Sequence, residues 1–218
     1  MATAVLAIGL VVAATLLALL FATVLSANFR IWPTPGEGTW QSYVFWPLFR
    51  GLNVLCFLMA ALDTGGYLGL PIWLRAIALL ALVASTTLFV YAFRVLGRDN
   101  SYGAQDGLVT NGIYRWSRNP QNAMLIVVYG CLMVATDGGG TYLLCVAMMA
   151  VYALMVFCEE PWLEKTYGSA FRNYCRRVPR FFNWRRALIM LKVAAMHGRR
   201  SKAGITSRRH RSRREVGG

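Results

Sequence analysis

The sequence predicts an all-α polytopic membrane protein of about five transmembrane helices, the fourth and fifth forming a hairpin, followed by an amphipathic segment and a basic tail. Three observations predict it. Hydrophobic residues make up 57% of the chain and charged residues only 15%, against roughly a quarter charged in soluble domains. The apolar residues gather in long runs separated by polar connectors rich in Gly and Pro. The basic charge belongs to one end, because 16 of the 23 Lys and Arg follow Cys158, and the chain has only 9 Asp and Glu.

Residues 3–26 are almost continuously apolar and exceed the roughly 20 residues that span a hydrocarbon core. Leu25-Ser26-Ala27 could pass for a signal-cleavage site, but the start has no Lys or Arg and the run is too long, which favours a retained helix. A connector over 29–41, with Pro33, Pro35, Gly36 and Gly38, leads to a second span over 43–62. Arg50 inside that span can snorkel or face the bundle. The turn at 63–70 lacks basic residues, and the third span, 72–96, carries Arg75 and Arg94 near its ends.

The segment 97–121, with Arg98, Arg115 and Arg118, is the longest polar interruption before the tail and the first place to seek a site. Residues 122–135 and 141–158 are apolar again, separated by Asp137-Gly138-Gly139-Gly140, whose glycines are expected to permit a tight reversal. At 1.5 Å per residue the first arm is only about 21 to 24 Å long, so it must tilt, extend into the loop or lie shallow. Three regions follow: transmembrane helices 1 to 3 over 1–95, a cofactor-binding region with the hairpin over 96–186, and a tail over 187–218. From about residue 192 the tail is poor in apolar residues and is expected to lack a packed fold of its own.

Because the loops near 63–70 and 135–140 contain no Lys or Arg, the positive-inside rule sets them outside, with the N-terminus outside and the C-terminus in the cytosol. The expected location is a bacterial inner membrane, or the endoplasmic reticulum of a eukaryote. Basic residues directly after apolar spans serve anionic lipid headgroups better than specific nucleic acid. Five cysteines without metal-site spacing, and histidines only at His197 and His210 in the tail, argue against a metal centre.

Three polar elements converge on the cytosolic face. They are Leu108-Val109-Thr110-Asn111-Gly112-Ile113-Tyr114, then Arg118-Asn119-Pro120 opening the fourth helix, then Glu159-Glu160-Pro161-Trp162-Leu163 closing the fifth. Pro120 suits a first helical turn. Carboxylates at a helix C-terminus oppose the helix dipole and ask for a cation. Taken singly, the glutamates read as helix-end anchors paired with Arg115, Arg118 or tail arginines, and Tyr114 and Trp116 as interfacial aromatics. In fixed order around a hairpin they are more specific.

That ordered set resembles the isoprenylcysteine carboxyl methyltransferase and phospholipid methyltransferase superfamily of membrane enzymes. The resemblance runs from about Leu96 to Phe182 and includes the segment from Tyr167 through Tyr174 to Val178-Pro179-Arg180-Phe181. It implies S-adenosylmethionine as cofactor, with contacts at Leu108, Val109, Tyr114, Arg118, Asn119, Pro120, Gln121, Asn122, Glu159 and Glu160. It assigns no catalytic residue. The cofactor's sulfonium, ammonium and carboxylate suit such a set: Glu159 toward the ammonium, Asn119 and Gln121 toward carboxylate or ribose, and Tyr114 toward the sulfonium methyl.

The implied activity is methyl transfer to an amphipathic or lipid-like acceptor, with the carboxylate of an isoprenylcysteine-like compound as first reading. N-methylation of a phospholipid headgroup is the alternative. The chain departs from the family's usual pattern at Gln121-Asn122-Ala123-Met124. It also carries Met155 where the eukaryotic prenylcysteine enzymes have an arginine one turn before the first glutamate. Readings of another class are a non-catalytic membrane factor, a small transporter and, more distantly, a nicotinamide-dependent sterol reductase. Transport is disfavoured because Arg50 and Arg75 are the only clear intramembrane charges, both expected near span ends.

Overall fold

The computed structural model describes residues 1–26, 28–97 and 107–181. The basic tail, the end of the amphipathic segment and the loop stretch that carries Arg98 lie outside the described residues. Among those described, five helices and no strands are present: α1 (Ala2–Leu25), α2 (Trp40–Leu62), α3 (Ile72–Leu96), α4 (Pro120–Thr136) and α5 (Gly139–Arg177), with a 3-10 turn at Gly112–Arg115. α1, α2, α3 and α5 are long and apolar enough to cross a membrane. α4 has 17 residues, a length of about 26 Å. The expected polytopic all-α architecture is therefore present.

α1 packs on α2 and α5, α3 packs on α4, and α4 and α5 form the hairpin. The core between them holds Leu16, Leu20, Phe45, Leu52, Leu144, Met148 and Val151, all fully buried. α1 approaches α5 closely at Gly9, where a Cβ would sit 2.8 Å from the Leu144 side chain. Large apolar residues such as Val11, Val54, Leu80 and Leu143 stay exposed, as expected where lipid rather than water is the solvent.

The end bearing the α2–α3 and α4–α5 turns is tied by two carboxylates and one arginine. Asp137, fully buried, accepts from the amides of Leu68 and Leu70 at 3.0 and 2.9 Å and from the Tyr142 hydroxyl at 3.2 Å. Burial opposes its charge, but the two amides, with Tyr142 and Arg75, hold its carboxyl below the ordinary range. Asp63 caps the start of α5 by accepting from the Gly140 and Thr141 amides. Arg75 donates to the Ala135 and Thr136 carbonyls at the end of α4.

This arrangement corrects the expected role of the glycines in the reversal. The left-handed residue is Asp137, at φ 53, whereas Gly138 has φ −107 and Gly139 begins α5. The glycines supply space instead. A Cβ at Gly138 would collide with the Asp63 carbonyl, and one at Gly140 with the Met59 methyl.

A second correction concerns α5, which does not end at Glu159-Glu160. It continues through Pro161 and turns at Gly168, whose φ of 54 and ψ of −124 only glycine adopts readily, before running on to Arg177. An interior proline removes one helical hydrogen bond and is tolerated where surrounding contacts hold the helix.

Candidate functional site

A cavity of about 520 Å³ opens where the 107–122 segment meets α2, α3 and both halves of α5. Each wall follows from local sequence. Gly112 takes φ 54 to start the 3-10 turn, and a Cβ there would lie 3.2 Å from Val95 Cγ1 of α3. This close approach gives the glycine of the Leu-Val-x-x-Gly-x-Tyr segment its physical reason. The turn buries Tyr114, whose carbonyl accepts from the Tyr174 hydroxyl at 2.6 Å. Pro120 occupies the first turn of α4, as expected, and is itself buried.

Of the residues singled out in the sequence, Leu108, Val109, Tyr114, Arg118, Asn119, Gln121, Asn122 and Glu159 line the cavity. Pro120 and Glu160 do not. Glu160 is instead the node of a clamp beside the cavity, where Arg118 donates to its Oε1 at 2.9 and 3.2 Å and Arg180 to its Oε2 at 2.6 and 2.8 Å. Arg118 also donates to the Cys175 and Val178 carbonyls, and its amide to the Pro179 carbonyl. Asn119 Nδ2 donates to the Arg180 carbonyl at 3.1 Å and to Glu160 Oε1 at 3.4 Å. The guanidinium of Arg180 lies 4.5 Å from the centre of the Phe157 ring.

The Arg-Asn-Pro and Val-Pro-Arg-Phe segments are therefore stitched together through one glutamate. The expected compensating cations are present, although Glu160 lies within the helix and not at its end. Its neighbour Glu159, about 100° further round the helix, lines the cavity instead. Its carboxylate and burial act on Tyr114: desolvation first, and the negative charge of Glu159 second, raise the phenol well above its ordinary value. The Tyr114 hydroxyl therefore stays protonated at neutral pH.

The N-terminal helices contribute residues that sequence reasoning did not assign. The α1–α2 connector buries Ile31 to Thr34, fastened by the Ile31 amide on Thr23 Oγ1 at 3.0 Å. This places Trp32 in the cavity wall, stacked on Phe45 at 4.8 Å and edge-on to Trp46 at 5.7 Å. The Trp32 indole N–H is buried and faces the Glu159 carboxylate.

From α2, Trp46, Arg50 and Asn53 line the same cavity. Asn53 Oδ1 accepts from the hydroxyls of Tyr129 and Tyr152, and its Nδ2 donates to the Phe49 carbonyl. The available signal was three polar or amphipathic residues at i, i+4 and i+7 on an otherwise apolar helix. Arg50 is the eleventh of 23 residues in α2, which puts it in mid-helix and not near a span end.

Chemically the cavity is mixed. Its polar lining carries a carboxylate, a protonated phenol, amide side chains, an indole donor and Arg50; its apolar lining includes Val54, Phe89, Phe93 and Leu125. A single negative group beside donors and aromatic faces suits a ligand carrying both positive and negative charge.

Comparison with known proteins bears on what such a ligand is. Residues 73–170 match the family model described as phospholipid methyltransferase. A segment of 76 residues is 32% identical to the phosphatidylethanolamine N-methyltransferase of Aspergillus terreus, covering 34% of this chain and 8% of that protein. The enzymes of that name from Penicillium rubens and Aspergillus niger are each 33% identical over 67 residues, or 30% of this chain and 7% and 6% of theirs. This chain thus aligns with less than a tenth of the length of these relatives. No solved structure matches. Residues 73–170, which hold most of the lining segments picked out in the sequence, are thus similar to the phospholipid methyltransferase family.

Proposed function

We propose that the chain is an integral membrane methyltransferase that uses S-adenosylmethionine to methylate the amine of an aminophospholipid headgroup. The observation that carries the reading is the joint placement of Glu159, Tyr114, Gln121 and Asn122 around one cavity by segments of the phospholipid methyltransferase match. The likeness to phosphatidylethanolamine N-methyltransferases favours an amine acceptor over the isoprenylcysteine-like carboxylate first expected. Met155 agrees with this, since the position that bears an arginine in prenylcysteine enzymes is a thioether in the cavity wall.

The cavity residues fit the cofactor. The cavity volume suits a drug-sized ligand, and its lining sets the Glu159 carboxylate beside the Tyr114 and Trp32 rings, a match for a cationic sulfonium and ammonium. In this reading Glu159 holds the cofactor ammonium, Gln121 offers a donor to its carboxylate or ribose, and the Asn119 amide oxygen, whose nitrogen already donates to Arg180 and Glu160, accepts from a ribose hydroxyl. Tyr114 faces the sulfonium with its ring. When bound, S-adenosylmethionine supplies an electrophilic methyl group and departs as a neutral thioether.

The main contribution of the chain is to align acceptor and methyl group in a dry site. A headgroup amine is protonated at neutral pH and must release a proton before it can attack. Glu159, the one carboxylate among the described lining residues, is engaged by the cofactor ammonium in this reading, so the proton passes to water.

Calorimetry on the detergent-purified full chain tests the cofactor. Saturable binding of S-adenosylmethionine and of S-adenosylhomocysteine is expected, and absence of both from folded protein refutes the enzyme class. Mass spectrometry of phosphatidylethanolamine vesicles incubated with protein and cofactor tests the acceptor. Stepwise gain of methyl groups is expected; cofactor binding without any methylated lipid rejects an aminophospholipid acceptor.

The cavity is assigned to the cytosolic face, because Arg30, Arg94, Arg115 and Arg118 lie at its end of the bundle and the opposite turns lack Lys and Arg apart from the carbonyl-capping Arg75. Leu68→Cys is then expected to react with an impermeant thiol reagent in sealed cells, and Gly36→Cys only after lysis. The reverse pattern inverts the topology. Both positions are exposed, and a Cβ at Gly36 meets nothing within 4 Å.

A further inference from the structure

We propose that Arg50 is the phosphate-binding residue of the cavity, its guanidinium holding the phosphodiester of a phospholipid acceptor. This deepens the methyl-transfer reading and rests on it, since it names the part of the acceptor that α2 recognises. The first observation is position. Arg50 stands in the middle of an apolar membrane helix, where an arginine is costly unless it meets water, a partner or a ligand. Among the described residues no carboxylate lies within ion-pair distance of it, the ion pairs present being those of Arg118, Arg172 and Arg180.

The second observation is orientation. Arg50 Cζ lies 5.1 Å from the centre of the Trp46 ring, and that ring is set edge-on against Trp32, Phe45 and Phe49. A guanidinium stacked on a fixed aromatic face keeps its in-plane N–H groups free to fork onto two oxygens of one anion. One turn further along α2, Asn53 is immobilised by Tyr129, Tyr152 and the Phe49 carbonyl, which makes that side of the cavity rigid.

The third observation is the chemistry that shares the cavity with Arg50. Glu159 and Tyr114, assigned above to the cofactor, line it together with Val54 of α2 and Phe89 and Phe93 of α3, and Val54 and Phe57 of α2 are exposed. An anion held at Arg50 is therefore in one cavity with a polar set of groups and with apolar walls. That combination suits the amine, phosphodiester and acyl chains of an aminophospholipid. Arg50 also lies outside the residues 73–170 of the family match, so it belongs to the part of the cavity that the matched cofactor segments do not build.

The test is ligand binding to the full chain in detergent, read by tryptophan fluorescence and calorimetry. The probes are short-chain phosphatidylethanolamine and phosphatidylcholine, dihexanoylglycerol, which lacks the phosphate, and glycerophosphoethanolamine, which lacks the chains. Arg50→Met is expected to weaken both phospholipids about ten- to a hundredfold, the loss of one charge-assisted contact. Binding of dihexanoylglycerol and of S-adenosylhomocysteine should stay unchanged. Arg50→Lys, which keeps the charge but loses the fork, is expected to fall between wild type and Arg50→Met.

Phospholipid affinity unchanged in Arg50→Met, with S-adenosylhomocysteine still bound, overturns the subsite and leaves the methyl-transfer reading intact. Loss of S-adenosylhomocysteine binding instead overturns it in favour of a contact to the cofactor carboxylate. Loss of all probes, dihexanoylglycerol included, overturns it in favour of a packing role. Glycerophosphoethanolamine bound as tightly as the lipid overturns the lipid source. Conversely, wild-type protein that binds phospholipid through Arg50 but neither form of the cofactor supports the subsite while ending the methyl-transfer reading.

Discussion

Glu160→Gln is expected to lower the thermal midpoint of the detergent-purified protein by roughly 4 to 12 °C, the shift that about 2 to 3 kcal/mol produces in a chain of this size. Glu160 has a side chain 11% exposed and accepts from two guanidiniums, those of Arg118, also 11% exposed, and Arg180, 40% exposed. Removing one member of a fully buried pair costs about 3 to 5 kcal/mol, because the other charge is left without its counterion. The partial exposure of Arg180 lowers that figure here. The amide of Gln adds a donor facing donors, so the shape is kept while the interaction is lost. Loss of the clamp releases Arg118-Asn119 from the Val178 to Arg180 carbonyls together. Arg118→Gln in the Glu160→Gln background should then cost much less than Arg118→Gln alone. Additive losses in that double-mutant cycle, or an unchanged midpoint, would remove the clamp from the account.

Helix existence was legible because period and hydropathy are local properties: the predicted third span coincides with α3, that of α1 is shifted by one residue at each end, and that of α2 starts three residues late and ends with the helix. The points missed depend on contacts between distant segments. Pro161 after two glutamates reads as a helix end, yet the Glu160 clamp and the packing of Leu163 and Tyr167 with Phe171 and Tyr174 accompany the helix through it. The glycines after Asp137 read as conformational freedom, whereas they make room for Asp63 and Met59 from α2. Most of the candidate site was legible because its motifs are contiguous and ordered. Trp32, Arg50 and Asn53 were not, since nothing near them in sequence says that α2 and its connector wrap the same cavity as Tyr114 and Glu159.

Glu159→Gln is expected to weaken S-adenosylmethionine binding by about ten- to a hundredfold without moving the thermal midpoint. The two glutamates are chemically identical and adjacent in sequence, so their difference isolates direction. Glu159 faces the cavity beside Tyr114 and Trp32, and Glu160 faces the arginines. A charge-assisted hydrogen bond to an ammonium contributes about 1.5 to 3 kcal/mol, which sets the expected loss of affinity. The Gln amide keeps the size of the side chain and leaves the Trp32 donor an oxygen to face, so packing is preserved. The comparison ligand sharpens the result. S-adenosylhomocysteine keeps the ammonium but not the sulfonium charge, so a contact to the ammonium predicts equal weakening of both ligands. Weakening of S-adenosylmethionine alone would move Glu159 from the ammonium to the sulfonium. Wild-type affinity for both ligands in monodisperse Glu159→Gln protein would show that this carboxylate does not bind the cofactor, and the proposed site would fall with it.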